Sequence, residues 1–272
     1  MSRRIGLVIV GDEILSGKRQ DKHMTKVLAL LAARGLALSW VRYVGDDRGL
    51  ITAALSDAFA SNDVVFSCGG IGATPDDHTR QCAAAALGVP LALHPGARDL
   101  ILERMQDVAR EQGVPYEPDR ADNVHRLNMG VFPVGAEIIP NPYNKIPGFS
   151  CVSPAGAQVH FVPGFPVMAW PMVEWVLDHV YGDTLRGLPV VERSVIVFGA
   201  MEASLTPLME QIEAQFQGVR VFSLPSVDHP TYGRHIELGV KGQAVEVDRA
   251  YPDLLAGLKR HGVPLGPELV RS

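Results

Sequence analysis

Asp63-Val64-Val65-Phe66-Ser67-Cys68-Gly69-Gly70-Ile71-Gly72-Ala73-Thr74-Pro75-Asp76-Asp77-His78-Thr79 is the stretch whose reading decides the fold. Residues 63–68 read as a strand around the apolar Val64-Val65-Phe66. The glycines that follow make a turn, and Asp77 or Thr79 opens a helix running to Leu87. The same phrase occurs twice upstream. Ile5 to Val10 is a continuous apolar run that breaks at Gly11-Asp12-Glu13, and a helix is predicted over His23 to Arg34. Its inner face is expected to carry Met24, Val27, Leu28 and Leu31, with Gly35 at the stop position. Leu38 to Val44 reads as a second strand ending in Gly45-Asp46-Asp47. Asp47 then caps a helix to about Ala60, with Leu50, Ile51, Ala54, Leu55 and Ala58 turned inward. Strand–helix alternation joined by short loops predicts an α/β fold with a mostly parallel sheet and helices on both faces.

Beyond Pro90 the pattern loosens. Ala97 to Gln112 is an amphipathic helix with Leu100, Ile101, Met105 and Val108 on its inner side, and Pro115 to Asn123 reads as a polar loop. A short strand at Glu137 to Ile139, a Pro/Asn/Gly segment from Pro140 to Gly148 and a strand at Val159 to Val162 follow. Pro163-Gly164-Phe165-Pro166 then leads into a helix to about Tyr181. From Val190 the pattern becomes βαββα: strands at 190–198, 219–224 and 235–240, helices at 205–216 and 248–260. This predicts two domains, residues 1–184 and 188–272, with the boundary between Gly182 and Pro189.

The chain has 272 residues, 25 Lys and Arg against 30 Asp and Glu, and a net charge of -5, which argues against a nucleic-acid partner. Its 47% hydrophobic content is enough for a buried core. Three cysteines, Cys68, Cys82 and Cys151, form no Cys-x-x-Cys pair and no disulfide framework. No apolar run approaches the ~18 residues of a membrane span. The six apolar residues after Arg4 are too short for a signal peptide, so a cytoplasmic protein is expected.

In open parallel sheets, ligands sit beyond the carboxyl ends of the strands. Three consecutive strands here end in glycines and carboxylates: Gly11-Asp12-Glu13, Gly45-Asp46-Asp47, and Gly69-Gly70-Ile71-Gly72 with Asp76 and Asp77. Acidic residues after the first strand would repel a pyrophosphate, so a dinucleotide-binding Rossmann site is not expected. The third turn admits two readings. Gly69, Gly70 and Gly72 with Thr74 can bring bare amides to a phosphate at a helix N-terminus, Asp76 or Asp77 recruiting Mg²⁺. Structurally, the same residues are a tight turn and an N-cap. Asn141-Pro142-Tyr143-Asn144-Lys145-Ile146-Pro147-Gly148 is a stiff segment offering amides and one positive charge, suited to a heterocycle or a phosphate, or else a rigid connection. His23, His78, His94 and His125 have no metal-ligand spacing, and Ser67 and Cys68 lack a nucleophile elbow.

Gly11-Asp12-Glu13-Ile14-Leu15-x-Gly17, Asp21, Val44-Gly45-Asp46-Asp47 and Gly69 through Thr79 together resemble the molybdopterin-binding-like domain of the competence/damage-inducible protein A (CinA) family. Asn141 to Phe149 and Pro163 to Pro166 are similar to that family's later Asn-Pro and Pro-Gly-Val-Pro motifs, so the resemblance spans about residues 4–180. It implies a three-layer α/β/α domain of the MoaB/MogA type followed by a small KH-like α+β domain. It also implies hydrolysis of nucleotide pyrophosphates such as ADP-ribose with Mg²⁺, Mn²⁺ or Co²⁺, or binding of molybdopterin. A homo-oligomer is expected, and the deamidase domain of longer relatives is not. In the working site, Asp46, Asp76 and Asp77 are catalytic, with Asp46 and Asp77 as metal ligands, and Gly69, Gly70, Gly72 and Thr74 hold a phosphate. Gly11, Asp12 and Glu13 are expected to contact ribose or pterin groups, Asp12 and Glu13 alternatively a second metal, while Asn141, Lys145, Gly148, Pro163 and Gly164 would close the pocket. Four positions depart from the family pattern: Ala73 stands for proline, His23 for asparagine, Lys145 for threonine, and Met168 for glutamate.

Overall fold

A computed structural model describes residues 3–182, 184–185 and 190–271, so the expected domain boundary falls largely outside the described residues. Two compact units divide the chain. The first begins with β1 (Ile5–Val10), α1 (Asp12–Leu15), α2 (His23–Ala32), β2 (Trp40–Val44), α3 (Arg48–Ala60), β3 (Val64–Cys68) and α4 (Thr79–Leu87). It continues through β4 (Leu91–Leu93), α5 (Pro95–Gln112), α6 (Ala121–Arg126), a 3₁₀ turn at Leu127–Gly130, β5 (Val131–Pro133) and β6 (Glu137–Ile139). β7 (Gly148–Val152), β8 (Gln158–Val162) and α7 (Pro166–His179) complete it.

Its main sheet has the order β2-β1-β3-β8-β7-β6. β2, β1, β3 and β8 are parallel, and β7 and β6 run antiparallel at one side. β1 and β3 are buried along their whole length because neighbours flank them and helices cover both faces, which is why they lack polar alternation. Val8 and Val10 of β1 and Val159 and Phe161 of β8 share a core with Ile51, Leu55 and Ala58 of α3 and with Cys82 and Ala83 of α4. On the opposite face His160 meets Tyr181 just beyond α7, and α7 packs on α2. Phe132, Phe149 and Phe161 form a stack with centroids 4.6 and 4.4 Å apart, tying β5 to the main sheet.

Several expectations need correction. Leu28 is 41% exposed, and the inner face of α2 is His23, Val27, Leu30 and Leu31. Leu50 is exposed, because the Asp47 cap sets the inward face to begin at Ile51. α5 turns Ala97, Ile101, Met105 and Ala109 inward, with Leu100 and Val108 half-buried. The polar stretch before Asn123 already holds the start of α6, and β4, β5 and β7 were not anticipated. His78, not Asp77, occupies the N-cap of α4.

The second unit comprises β9 (Val190–Val197), α8 (Glu202–Gln215), β10 (Arg220–His229), β11 (Gly233–Gln243), α9 (Ala244–Arg260) and β12 (Leu265–Arg271). Its antiparallel sheet has the order β10-β11-β9-β12. Val195, Val197, Leu238 and Val240 pack against Leu205, Leu208, Val247, Leu254 and Leu258 of the two helices. β12 was not anticipated: a bulge between Leu265 and Glu268 accommodates Pro267, which interrupts the strand pattern.

Candidate functional site

The strand register places the site. Val10 is level with Val44, Ile9 with Cys68, and Cys68 with Val162, so four parallel strands end along one edge of the first unit. Gly11 N–H closes onto the Val44 carbonyl and Gly69 N–H onto the Val162 carbonyl, both at 3.0 Å. The turns at 11–15, 45–47, 69–78 and 163–165 therefore converge there. β7 runs back from the same edge, since Phe149 pairs with Phe161 and Gly148 with Ile139. The 140–147 segment is thus brought to that edge as well.

Asp12 and Asp46 clasp the first two turns. Asp46 Oδ2 accepts from the Asp12 amide at 2.9 Å, and Asp12 Oδ1 accepts from the Asp46 amide at 3.1 Å. Burial pushes the Asp46 carboxyl above its ordinary range, and the charges of Asp12, Glu13 and Asp76 push it the same way, against the lowering effect of the Asp12 amide. A cation is the natural complement of such a cluster. Among the described residues no three His, Cys, Asp or Glu side chains are grouped so as to hold a metal ion by protein donors alone. The set still fits Mg²⁺, which is commonly held by one or two carboxylates together with substrate phosphates and water.

The third turn is built by close approach. A Cβ on Gly69 would lie 2.3 Å from the Val10 carbonyl oxygen, and one on Gly70 2.1 Å from Thr79 Oγ1, at φ values of 106° and 70°. Thr79 sews this turn to α4, its hydroxyl donating to the Gly69 carbonyl and its amide to that of Gly70. Asp77 folds inward: its Oδ2 accepts from the Thr74 amide at 2.8 Å and from the Thr74 hydroxyl at 2.5 Å, beside Gly72. Asp76 is exposed at the tip. It is Asp76, rather than Asp77, whose charge raises Asp46.

The remaining candidates reach the edge with their polar atoms engaged. Asn141 is buried; its Nδ2 donates to Asn144 Oδ1 and the Ile146 carbonyl, and its Oδ1 accepts from the Tyr143 amide. Lys145, at φ 64°, pairs through Nζ with Glu103 at 2.6 Å and Asp107 at 2.5 Å on α5. Gly148 is required by packing, since a Cβ would strike the Phe161 carbonyl at 2.3 Å. Met168 Sδ accepts from Asn144 Nδ2. Gly164 lies against Gly69, with a Cβ there 3.5 Å from Gly69 Cα, which sets the Pro163–Pro166 turn beside the glycine turn.

Three further residues shape the site, and sequence reasoning assigned none of them a role in it. Arg80 is 4% exposed, and its Nη1 donates to the Ile71 carbonyl at 2.6 Å. His125 of α6 meets the Ala73 carbonyl at 2.9 Å and braces the turn from outside. His23 anchors the 163–166 turn through Nε2 and the Gly164 carbonyl at 3.0 Å, while its buried Nδ1 has no partner. Two signals were available in the sequence: Arg80 follows Thr79 in the first turn of a helix, and His23, two residues after Asp21, departs from the family pattern.

Known proteins agree with this architecture. Residues 6–182 match the family described as "Probable molybdopterin binding domain". A CinA-like protein of Anaeromyxobacter dehalogenans is 35% identical over 188 residues, covering 68% of this chain and 43% of the relative. One from Desulforapulum autotrophicum is 29% identical over 223 residues, covering 80% and 50%. The chain thus spans about half the length of these relatives or less. The structure of a CinA protein of unknown function from Thermoplasma acidophilum superposes with a TM-score of 0.54 at 26% identity, over 66% of this chain and 98% of that one. With its four-turn edge and its glycine turn in the matched region, the chain belongs to the molybdopterin-binding-domain family, in its CinA-like branch.

Proposed function

We propose that the first unit binds a nucleotide pyrophosphate of the ADP-ribose class and hydrolyses it with a divalent cation. The observation that carries this reading is the convergence of Asp12, Glu13, Asp46 and Asp76 beside the glycine turn, where burial first and then the neighbouring charges raise the Asp46 carboxyl. Asp46 and the Asp77 oxygen not bonded to Thr74 would hold the cation, with Asp76 exposed beside them. A cation bound there would neutralise phosphate charge and lower the pKa of an attacking water. The amides of Gly70 to Gly72 and the first turn of α4 receive the phosphoryl oxygens. Asp12 and Glu13 accept from ribose hydroxyls. Water adds to one phosphorus, the bridging P–O–P bond breaks, and two phosphomonoesters leave. The test is turnover of ADP-ribose by the full chain, with Mg²⁺, Mn²⁺ or Co²⁺ restoring activity abolished by chelation.

A second reading, a binder of molybdopterin or nucleotide without turnover, is favoured by one feature. Met168 stands where the family pattern has glutamate, which removes one carboxylate, and Lys145 is held by Glu103 and Asp107 within the protein, so its charge is not free for chemistry. Calorimetric binding of a nucleotide without product release selects it.

A further inference from the structure

Arg80 is placed against every ordinary preference of its side chain. It is 4% exposed, so its charge is largely stripped of water. It occupies the first turn of α4, a nine-residue helix, where the aligned peptide dipoles already present positive charge and a cation is unfavourable. Burial lowers its affinity for its own proton. The usual remedy for a buried cation is an ion pair, often with both arms of the guanidinium engaged. Arg80 has none among the described residues: Asp77 acts on it only at Coulombic distance, and the Ile71 carbonyl is its one hydrogen-bond acceptor. Asp77 is committed to Thr74 instead. Among the described residues no acceptor other than the Ile71 carbonyl engages the Arg80 guanidinium.

These costs share one remedy. An anion seated on the Gly69–Gly72 turn would meet the buried guanidinium, the helix N-terminus and the free amides together. A phosphoryl group fits best, because its several oxygens can accept from all three. The guanidinium already reaches into the turn, since Nη1 holds the carbonyl of Ile71 at its centre.

We propose that Arg80 is the anion-binding residue of the glycine turn, pinning Ile71 with one N–H and holding a phosphoryl group with the others. The inference rests on the pyrophosphate reading above and assigns its charge recognition to a residue inside the protein rather than to Lys145. It also accounts for how an edge so rich in carboxylates receives an anion: the compensating charge lies beneath the turn.

The experiment uses the full chain in Mg²⁺ buffer, with inorganic pyrophosphate and ADP-ribose as probes. In arginine-labelled (¹⁵N) protein, the Arg80 Nε–H resonance, assigned by its loss in Arg80→Lys, should shift and saturate with pyrophosphate. By calorimetry, Arg80→Met should weaken pyrophosphate and ADP-ribose binding tenfold or more, with Arg80→Lys in between. If the wild type binds both probes while the Arg80 resonance stays still, or if the Met and Lys variants weaken binding equally, Arg80 is a strut for Ile71 and the inference fails alone. If the wild type binds neither probe, the pyrophosphate reading falls and this inference with it. The resonance measurement needs only the wild type to fold, so an unstable methionine variant does not spoil the test.

Discussion

Asp46 shows what a single residue contributes. Its folded-state pKa lies above the unfolded value through burial first and then through Asp12, Glu13 and Asp76. Raising the pH through that window deprotonates the unfolded chain before the folded one, so stability falls as Asp46 ionises. Asp46→Asn should therefore melt higher than wild type at neutral pH, by less than ~1 kcal/mol after solvent screening, with the gain vanishing in acid. Thermal melts across pH check this. Adding Mg²⁺ should raise the wild-type Tm more than that of the variant, because the cation removes the repulsion the substitution has already relieved. At this scale the sequence was informative where chemistry is local. Acid residues directly after apolar runs could be read as strand-end carboxylates, and Asp47 as a cap. It was uninformative where partners come from afar. Nothing near Lys145 foretells that Glu103 and Asp107 will claim it, and nothing near Arg80 shows that no carboxylate will.

Among the elements, the strand–turn–helix from β3 to α4 is fixed by tight backbone contacts rather than by side-chain packing. Gly69→Ala should cost about 3 kcal/mol or more, since the new Cβ meets the Val10 backbone at 2.3 Å in a left-handed conformation. Gly17→Ala is the control: its φ is 72°, but a Cβ there meets nothing within 4 Å, so only the local strain of about 1 kcal/mol applies. Urea unfolding of both variants separates steric closure of the site from ordinary glycine strain. β1 and β3 were legible because burial on both faces makes them almost continuously apolar, whereas β2, at the sheet edge, is half-exposed and carries Arg42. The inner face of α2 was not, because His23 is buried by its bond to the Gly164 carbonyl while Leu28 is left outside, a choice made by tertiary contacts alone. β7 was hidden because its five residues directly follow a proline-rich segment, and only the folded sheet reveals its antiparallel pairing to β8.

For the molecule as a whole, stability and function draw on different parts of the first unit. On the face away from α3 and α4, Ser150, His160, Tyr181 and Gln158 form a buried chain of hydrogen bonds that ends at Arg3. Gln158 Oε1 can only accept, so the Tyr181 hydroxyl donates to it and accepts from His160 Nε2–H. This leaves His160 Nδ1 to accept from Ser150. Burial pushes His160 down to about 3. As pH falls below the unfolded value near ~6.5, the unfolded chain takes up a proton that the folded chain refuses, so stability drops by up to about 1.4 kcal/mol per pH unit until about pH 3. His160→Gln should flatten that decline in denaturation curves recorded from pH 7 to pH 4. The overall architecture was legible because alternating strands and helices admit few topologies. The site was legible as a place rather than as a mechanism, because side-chain direction is settled only once six strands are aligned. The most direct measurement is ADP-ribose turnover by the full chain across Mg²⁺, Mn²⁺ and Co²⁺, comparing wild type with Asp46→Asn and Asp77→Ala. The expected result is metal-dependent release of two phosphomonoesters, reduced tenfold or more in both variants. No turnover with any of the three metals, or equal turnover in all three proteins, would contradict it.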